Sequence, residues 1–248
     1  MVKHLERLAK QHTQYGIRRM TADLQAQGFH VNRKRVYRMM REHRLLCKVK
    51  RRFVATTNSQ HAYERYPNRY QNQIPDQLDR VWVADITYVR LRKDFAYLAV
   101  ILDACSRRVI GWELSQDPDA TLTLRALECA LVQRNPAPGV IHHSDQGVQY
   151  ACHAYTDLLT ARGFQISMSR KGNPRDNAQA ESFMATLKKE EVYLSNYDTF
   201  EEAQARLPHF IDQVYNRERR HSALGYLSPV EFELKSKQPP TPHLTQHN

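Results

Sequence analysis

The stretch VIHHSDQGVQY (residues 140–150) decides the fold, together with the segments ACHAYTDLLTARGF (151–164), QISMS (165–169), RKGNPRDN (170–177) and AQAESFMATLKKE (178–190) that follow it. Residues 140–144 form an apolar and aromatic run after a turn of Pro and Gly, and such a run predicts a buried strand. Residues 152–163 have helical periodicity, and residues 165–169 predict another strand. Asp145 comes directly after the first strand, at the edge where α/β sheets gather their ligands.

A second carboxylate, Glu181, lies on the last predicted helix, which follows turn and cap residues at 173–177. This helix has an apolar face at i, i+3, i+4 and i+7 spacing. The face consists of Ala180, Phe183, Met184 and Leu187. Glu181 is one residue off the face, which places it at the boundary between core and solvent. Lys188 is almost two turns further on and shares the side of Glu181, where it could hold a phosphate.

A third carboxylate, Asp85, interrupts the run VWVADITYV (residues 81–89). Its neighbours are β-branched and aromatic, so the run predicts a core strand in which an Asp has no packing role. Burying an unpaired carboxylate costs several kcal/mol, about 2–7 for a polar group and more for a charge. Asp85 therefore requires a cation or hydrogen-bond donors, and a metal ion would serve.

Asp85, Asp145 and Glu181, with 35 residues between the last two, resemble the D-D-35-E signature of retroviral-type integrases and insertion-sequence transposases. Four longer motifs narrow the resemblance to the OrfB transposase of the insertion-sequence 3 family, over roughly residues 12–234. These motifs are WVADITY (82–88), HSDQGVQY (143–150), NPRDNAQAESF (173–183) and YNRERRHSALGYLSPVEF (215–232). Arg175 and Arg220 depart from the usual family text, but neither is one of the carboxylates.

The resemblance implies an α/β fold with an RNase H-like mixed five-stranded sheet flanked by helices. It implies that Asp85, Asp145 and Glu181 are catalytic and hold two Mg²⁺ ions, for which Mn²⁺ could substitute. The expected activity is that of a DDE-type transposase that cleaves and joins the ends of an insertion sequence by phosphodiester hydrolysis and transesterification. Two alternatives stay open: a cleaving-only nuclease of the same fold, and a non-catalytic DNA-binding regulator derived from a transposase.

The partners expected from this resemblance are the terminal inverted repeats of the element and a target DNA. Pairing two DNA ends requires at least a dimer, and the family often has an upstream-frame OrfA protein. Asn177 and Lys188 are expected to contact DNA or to support Glu181.

The net charge of +11 is concentrated at the start of the chain. Residues 1–53 carry 15 Lys and Arg against three acidic residues, while the remainder is near neutral. Two short helices joined by a turn at Gly28 predict a helix-turn-helix, the second helix having Val36, Tyr37 and Met40 inward. Its outward face is basic and is predicted to bind DNA. The residues of this face are Arg33, Lys34, Arg35, Arg38 and Arg41.

The order of segments predicts five regions: a basic helix-turn-helix domain (1–47), a linker (48–77), a catalytic core (78–190), a helical extension (191–234) and a disordered tail (235–248). Strands are predicted at 80–91, 95–104 and 107–115, and a helix at 120–134. Within the linker, a small strand is expected at 53–54. Tyr63, Tyr66 and Tyr70 either lie along nucleic acid or pin the linker to the core.

Several other polar residues have competing interpretations. Asp103 is either a rival ligand or a turn residue, and the turn role is favoured. His142 and His143 are interpreted as strand residues rather than ligands. The basic residues Arg217, Arg219 and Arg220 either contact DNA or complement a helix C-terminus.

The composition excludes a membrane protein, because the longest apolar run (95–102) is far shorter than the roughly 20 residues of a membrane span. The hydrophobic fraction of 41% is typical of soluble globular proteins. Four dispersed Cys without a C-x-x-C motif argue against a zinc cluster or disulfide framework. A cytoplasmic, nucleoid-associated location is therefore expected.

Overall fold

The structure is a computed structural model that describes residues 1–46, 62–71, 73, 75–170 and 173–237. The strand expected at 53–54, much of the linker and residues 238–248 of the tail lie outside the described residues. Within the described part, no helix has the length and apolarity that spanning a membrane requires.

The N-terminal head consists of three helices around a small core. They are α1 (Val2–Gln11), α2 (Ile17–Ala26) and α3 (Arg33–Glu42). Gly28, with φ of +86°, terminates α2 in a conformation that favours Gly, and the Asn32 side chain caps α3 by accepting the Arg35 N–H. The helix-turn-helix is thus present as predicted, and α1 adds Leu5 and Leu8 to its core.

One inward residue of the head was predicted wrongly. Tyr37 is 43% exposed, whereas Met39 is buried beside Val36 and Met40. The i, i+3, i+4 spacing from Val36 is satisfied by residues 39 and 40, which leaves residue 37 about 100° away, on the basic face.

The body is built on one five-stranded sheet in the order β3-β2-β1-β4-β5. The strands are β1 (Val81–Arg90), β2 (Phe95–Asp103), β3 (Val109–Ser115), β4 (Ile141–Ser144) and β5 (Gln165–Met168). Short turns make the first three strands an antiparallel meander, while helical crossovers make β4 and β5 parallel to β1. This confirms the predicted mixed sheet.

Helices cover both faces of the sheet. The first set, α4 (Ala120–Arg134), α5 (Val148–Ala151) and α6 (His153–Ala161), packs against the face that includes Trp82 and Ala84. The predicted helix 152–163 corresponds to α6, and α5 is a separate short helix before it, because Cys152 adopts an extended backbone between the two.

The opposite face, which includes Val81 and Val83, packs against the later helices. Of these helices, α7 (Ala178–Leu187) and α9 (Phe200–His209) contribute residues to this core, while α8 (Tyr193–Ser195) and α10 (Pro229–Ser236) lie at its margin. A π-helical segment, Lys188–Val192, joins α7 to α8, and another, Phe210–Glu218, continues α9. The helical extension therefore shares one hydrophobic core with the sheet.

Candidate active site

Asp85 lies in the middle of β1, the central strand of the sheet, paired with Val100 of β2. The alternation of side chains along a strand puts Asp85 on the same face as Val81 and Val83, the face covered by α7. One oxygen of its half-buried carboxylate accepts the N–H of Ile86 at 2.9 Å. The central position fixes this carboxylate between two hydrogen-bonded neighbouring strands.

Asp145 follows the last residue of β4, which lies beside β1. Its Oδ1 accepts the N–H of Gly147 at 2.8 Å. A Cβ atom on Gly147 would lie 2.9 Å from that oxygen, so only Gly fits without displacing the carboxylate. Gly147 was not predicted to belong to the site, although its position two residues after Asp145 is a signal for such a turn.

Glu181 lies exposed in the first turn of α7. The start of α7 is attached to β1 because Nδ2 of Asn177 donates to the carbonyl oxygen of Ala84 at 2.8 Å. This hydrogen bond holds α7 beside the residue that precedes Asp85. Of the two roles expected for Asn177, the geometry favours support of Glu181, since the Asn177 side chain is buried.

The charges of Asp145 and Glu181 both act on Asp85. Burial, followed by the negative charge of Asp145 and then that of Glu181, raises the pKa of Asp85 to about 8, against the opposing effect of Lys188. Burial also raises the pKa of Glu181. Such a cluster of like charges around a buried carboxylate requires compensation by protons or cations.

Lys188 is a half-buried cation of this site, at the start of the π-helical segment after α7. Its Nζ lies 3.9 Å from the centre of the Tyr88 ring, in a cation–π contact. Burial lowers the pKa of Lys188, while the charge of Asp85 opposes that effect. Tyr88 was not assigned to the site from the sequence, although an aromatic residue three positions after Asp85 is a weak signal.

The carboxylates have the chemistry that a hard divalent cation prefers, since all three offer oxygen ligands. Among the described residues, no group of three or more His, Cys, Asp or Glu side chains is already arranged as a metal-binding cluster. The half-buried Asp85 nevertheless has a carboxylate oxygen that accepts no hydrogen bond from the described part of the chain. The three carboxylates thus have the chemistry to hold divalent cations. Because they are not already arranged as a metal-binding cluster, binding of the cations would have to complete the set of ligands.

The basic face of α3 lies on the head, separate from the carboxylates. Arg33, Lys34, Arg35, Arg38 and Arg41 are all exposed. Within the described part of the chain, none of them forms an ion pair.

Other polar candidates have structural roles. Asp103 is buried and accepts the N–H groups of Asp79, Cys105 and Ser106, which confirms its turn role. His142 is bonded to the Tyr155 hydroxyl, and burial lowers its pKa to about 3. His143 lies between two Ser hydroxyls, and burial lowers its pKa to about 4.

Two tyrosines of the linker, Tyr63 and Tyr70, pin it to the body. Tyr70 is buried and packs against His143, and Tyr63 packs against His153. Arg219 and Arg220 are likewise internal: Arg219 pairs with Glu190, and Arg220 pairs with Asp23 and Glu231. Both arginines therefore have acidic partners within the protein, and their contact with DNA stays a prediction.

Comparison with known proteins places the chain among DNA-rearranging enzymes. Models described as "Integrase core domain" match residues 75–174 and 162–229, and one described as "HTH-like domain" matches residues 2–53. A 31 kDa protein of insertion element IS600 from Shigella sonnei is 41% identical, over 90% of this chain and 83% of its own. The transposase InsF for insertion sequence IS3A of Escherichia coli is 38% identical, over 90% of this chain and 77% of its own.

A solved structure shares the fold at low identity. One chain of the simian T-cell lymphotropic virus intasome, in complex with a regulatory subunit of PP2A, is similar to this protein. The alignment covers 98% of this chain and 79% of the viral complex's chain. The TM-score is 0.55 and the identity is 14%. The similarity supports the RNase H-like sheet with its helical layers.

Proposed function

Because the chain belongs to the insertion-sequence 3 family of DDE-type DNA transposases, we propose that Asp85, Asp145 and Glu181 form its catalytic centre. The reaction is hydrolysis of a phosphodiester at each end of the element, followed by attack of the freed 3′-hydroxyl on a second DNA strand. The observation that carries this proposal is the half-buried position of Asp85 in the middle of β1, where burial and its two acidic neighbours raise its pKa to about 8.

The proposed cofactor is a pair of Mg²⁺ ions, with Mn²⁺ as a substitute. When bound, these ions supply activation of the attacking oxygen and stabilisation of the leaving oxygen. Asp85, Asp145 and Glu181 would hold these ions through their carboxylate oxygens. Since binding must expel protons from Asp85, cation binding strengthens as pH rises towards and past 8.

The positively charged side chains of the protein bind and orient the DNA. Lys188 is placed to hold a phosphate oxygen near Asp85, and its contact with Tyr88 restricts its position. The exposed face of α3, with Arg33, Lys34, Arg35, Arg38 and Arg41, is placed to bind the terminal repeat. These contacts attract the phosphate backbone and weaken with salt.

The assembly that follows from this chemistry contains at least two copies of the chain, because two ends of an element must be held together. An upstream-frame OrfA protein is a further proposed partner, and the nucleoid in the cytoplasm is the proposed site of action. Functionally, we divide the chain into a DNA-binding head (1–47), a linker (48–77), a catalytic core (78–190) with its helical extension (191–234), and a tail (235–248).

The test is magnesium-dependent cleavage of a duplex carrying an end of the element, with the wild type and with Glu181→Gln. This substitution preserves size and removes the charge. Loss of a second-sphere partner of a metal site costs about 10–100-fold, so loss of a ligand should reduce the rate at least that much. Glu128→Gln, an exposed change on α4, is the matched control. Equal rates for Glu181→Gln and the wild type would contradict the assignment.

A second assay separates transposase from nuclease and regulator. The DNA end is supplied already cut at its 3′-hydroxyl, and joining to a target duplex is measured. A transposase joins the strands, a cleaving-only nuclease does not, and a regulator gives no magnesium-dependent product in either assay.

A further inference from the structure

A small polar cavity lies where the head meets the body, on the flank of α7. Its volume is about 110 Å³, and its lining includes Arg19 of α2, Arg107 of the β2–β3 turn, Gln179 of α7 and Arg219. Liquid water occupies about 30 Å³ per molecule, so the cavity has the size of three or four waters. That space is large enough for a single tetrahedral anion.

The cavity has an excess of positive charge. Arg19 and Arg219 both pair with Glu190, at 3.1 Å and 2.7 Å, so one carboxylate serves two guanidinium groups. Arg107 forms no side-chain hydrogen bond or ion pair within the described part of the chain. His221 also lines the cavity. Burial, followed by the charges of Arg219, Arg19 and Arg107, lowers its pKa to about 2.

Gln179 is a second, independent observation. Its side chain is only 8% exposed, and within the described residues neither its Oε1 nor its Nε2 has a hydrogen-bond partner. A buried amide without partners costs stability, so its presence in a native structure calls for an explanation. An anion in the cavity would accept a hydrogen bond from Nε2 and charge-assisted hydrogen bonds from Arg107.

We propose that this cavity binds one phosphate group of the DNA backbone, through Arg107, Gln179 and the two guanidinium groups that share Glu190. The proposal rests on the proposed function only in taking DNA as the ligand. Gln179 and Glu181 are two residues apart on α7, about 3 Å along the helix axis but about 200° around it, so they lie on different sides of the helix. A phosphate seated here therefore anchors the DNA across α7 from the catalytic carboxylate and contacts head and body together, since Arg19 belongs to the head.

The first experiment measures binding of a short duplex of arbitrary sequence, in EDTA, as a function of salt concentration. Each phosphate contact contributes about 0.9 to the slope of log K against log salt. Arg107→Gln should reduce the slope by about that amount, and Arg107→Lys should restore most of it. An unchanged slope for Arg107→Gln overturns the proposal.

Arg162→Gln is the matched control, since Arg162 is exposed and also has no side-chain partner in the described part of the chain. It precedes β5, at the edge of the parallel strands opposite to Asp145. Its slope should equal that of the wild type. A loss equal to that of Arg107→Gln would mean that general charge, not the cavity, sets the slope, which overturns the proposal.

The second variant, Gln179→Leu, separates binding from packing. It removes an unpartnered amide and no hydrogen bond, so the Tm without DNA should be unchanged or raised, while the affinity for the duplex falls. Unchanged affinity for the duplex, whatever the Tm, overturns the role of Gln179 in the site.

A third measurement distinguishes a DNA phosphate from a free anion. If inorganic phosphate raises the Tm of the wild type but not that of Arg107→Gln, and the DNA slopes of the two are equal, the cavity binds free phosphate and the DNA assignment is wrong. Because binding is measured in EDTA, failure of cleavage leaves this result intact. Conversely, unchanged DNA slopes leave the catalytic assignment intact.

Discussion

At the scale of single residues, the site depends on small groups that control the carboxylates as much as on the carboxylates themselves. Asp145 is held by the N–H of Gly147, and Asn177 attaches the start of α7 to the strand of Asp85. Each of these contacts fixes where a carboxylate oxygen lies. Displacement of a catalytic group by about 1 Å can cost a hundredfold in rate.

Gly147→Ala should therefore lower the cleavage rate by about 10–100-fold, because its Cβ would press on Oδ1 of Asp145 at 2.9 Å. The fold should persist, since the neighbouring atom is the end of a side chain that can move. Rates and far-UV circular dichroism of the variant check this. Gly16→Ala, where a Cβ meets nothing within 4 Å, is the control, and equal rates for both variants would refute the role of Gly147.

The sequence predicted the three carboxylates because their spacing and surrounding motifs are visible without a structure. It could not predict the hydrogen bond from Asn177 to Ala84, which joins residues 93 positions apart. The unpartnered amide of Gln179 was equally invisible, because a sequence does not show which buried groups lack partners. Local pattern therefore identified the acids, and tertiary contacts identified the residues that hold them.

At the scale of elements, α10 is attached to the body by one buried carboxylate. Glu233 pairs with Arg108 at 2.8 Å and with Arg134 at the end of α4, and it accepts the hydroxyl hydrogen of Ser106 at 2.7 Å. One side chain thus joins α10, α4 and the β2–β3 turn. Removing its charge would leave two guanidinium groups without their main partner.

Glu233→Gln should lower the free energy of unfolding by about 3–5 kcal/mol at neutral pH, as expected when one partner of a buried ion pair is removed. Urea denaturation measures this, with Glu128→Gln as the exposed control. If Glu233→Gln lost less free energy of unfolding than the control variant, α10 would be held by its apolar contacts instead.

The pH dependence of the same variant has a definite sign. Burial raises the pKa of Glu233, but the hydrogen bond and charge of Arg134, then Arg108 and Ser106, lower it below its ordinary value of 4.5. A carboxyl group whose pKa is lowered by folding stabilises the folded state at pH values above its ordinary pKa. This stabilisation is lost as the pH falls through the lowered pKa. The stability gap between wild type and Glu233→Gln should therefore narrow below about pH 4.5. A gap that widens on acidification would contradict the assignment.

Close packing of α4 on β3 depends on Gly111. A Cβ there would clash with the carbonyl oxygen of Ala126 and lie 2.7 Å from the Cβ of Ala130. Gly111→Ala should destabilise the fold by about 1–3 kcal/mol, the usual cost of overpacking. Each kcal/mol corresponds to about 2–4 °C in Tm for proteins of this size. Thermal unfolding beside the control Gly16→Ala tests this, and equal Tm values would refute it.

Most elements were predicted because their patterns are local. The helix α4 has the predicted bounds, and the meander followed from tight turns between strand-like runs. The break at Cys152 and the two π-helical segments were not predicted, since each depends on how a helix meets its neighbours. The helix α1 was missed, although Leu5 and Leu8 have the spacing of one apolar face.

At the scale of the whole molecule, the head is joined to the body by polar contacts. Arg19 pairs with Glu190, and Asp23 pairs with Arg220 at 2.9 Å. The hydroxyl of Tyr15 accepts the backbone N–H of Arg220 at 2.8 Å. Charged contacts of this kind orient two units but weaken when one partner is lost.

Asp23→Asn should loosen the head, because a hydrogen bond to a charged group contributes about 1.5–3 kcal/mol. The expected results are a larger radius of gyration by small-angle X-ray scattering and faster tryptic release of a fragment lacking the head. Asp117→Asn, an exposed charge-matched change, should behave as the wild type. If both variants scatter and digest alike, the Asp23–Arg220 pair does not hold the head.

These contacts also determine the order in which the parts of a newly made chain can meet. Tyr15, Arg19 and Asp23 leave the ribosome early, whereas their partners lie 171 to 205 positions later. At a synthesis rate of about 5–20 residues per second, the head has its own complete core for about 10–40 s before the body residues that it contacts have been made. Assembly of head onto body thus has to follow synthesis of these later residues, and a nascent chain stalled before Glu190 displays an unattached head.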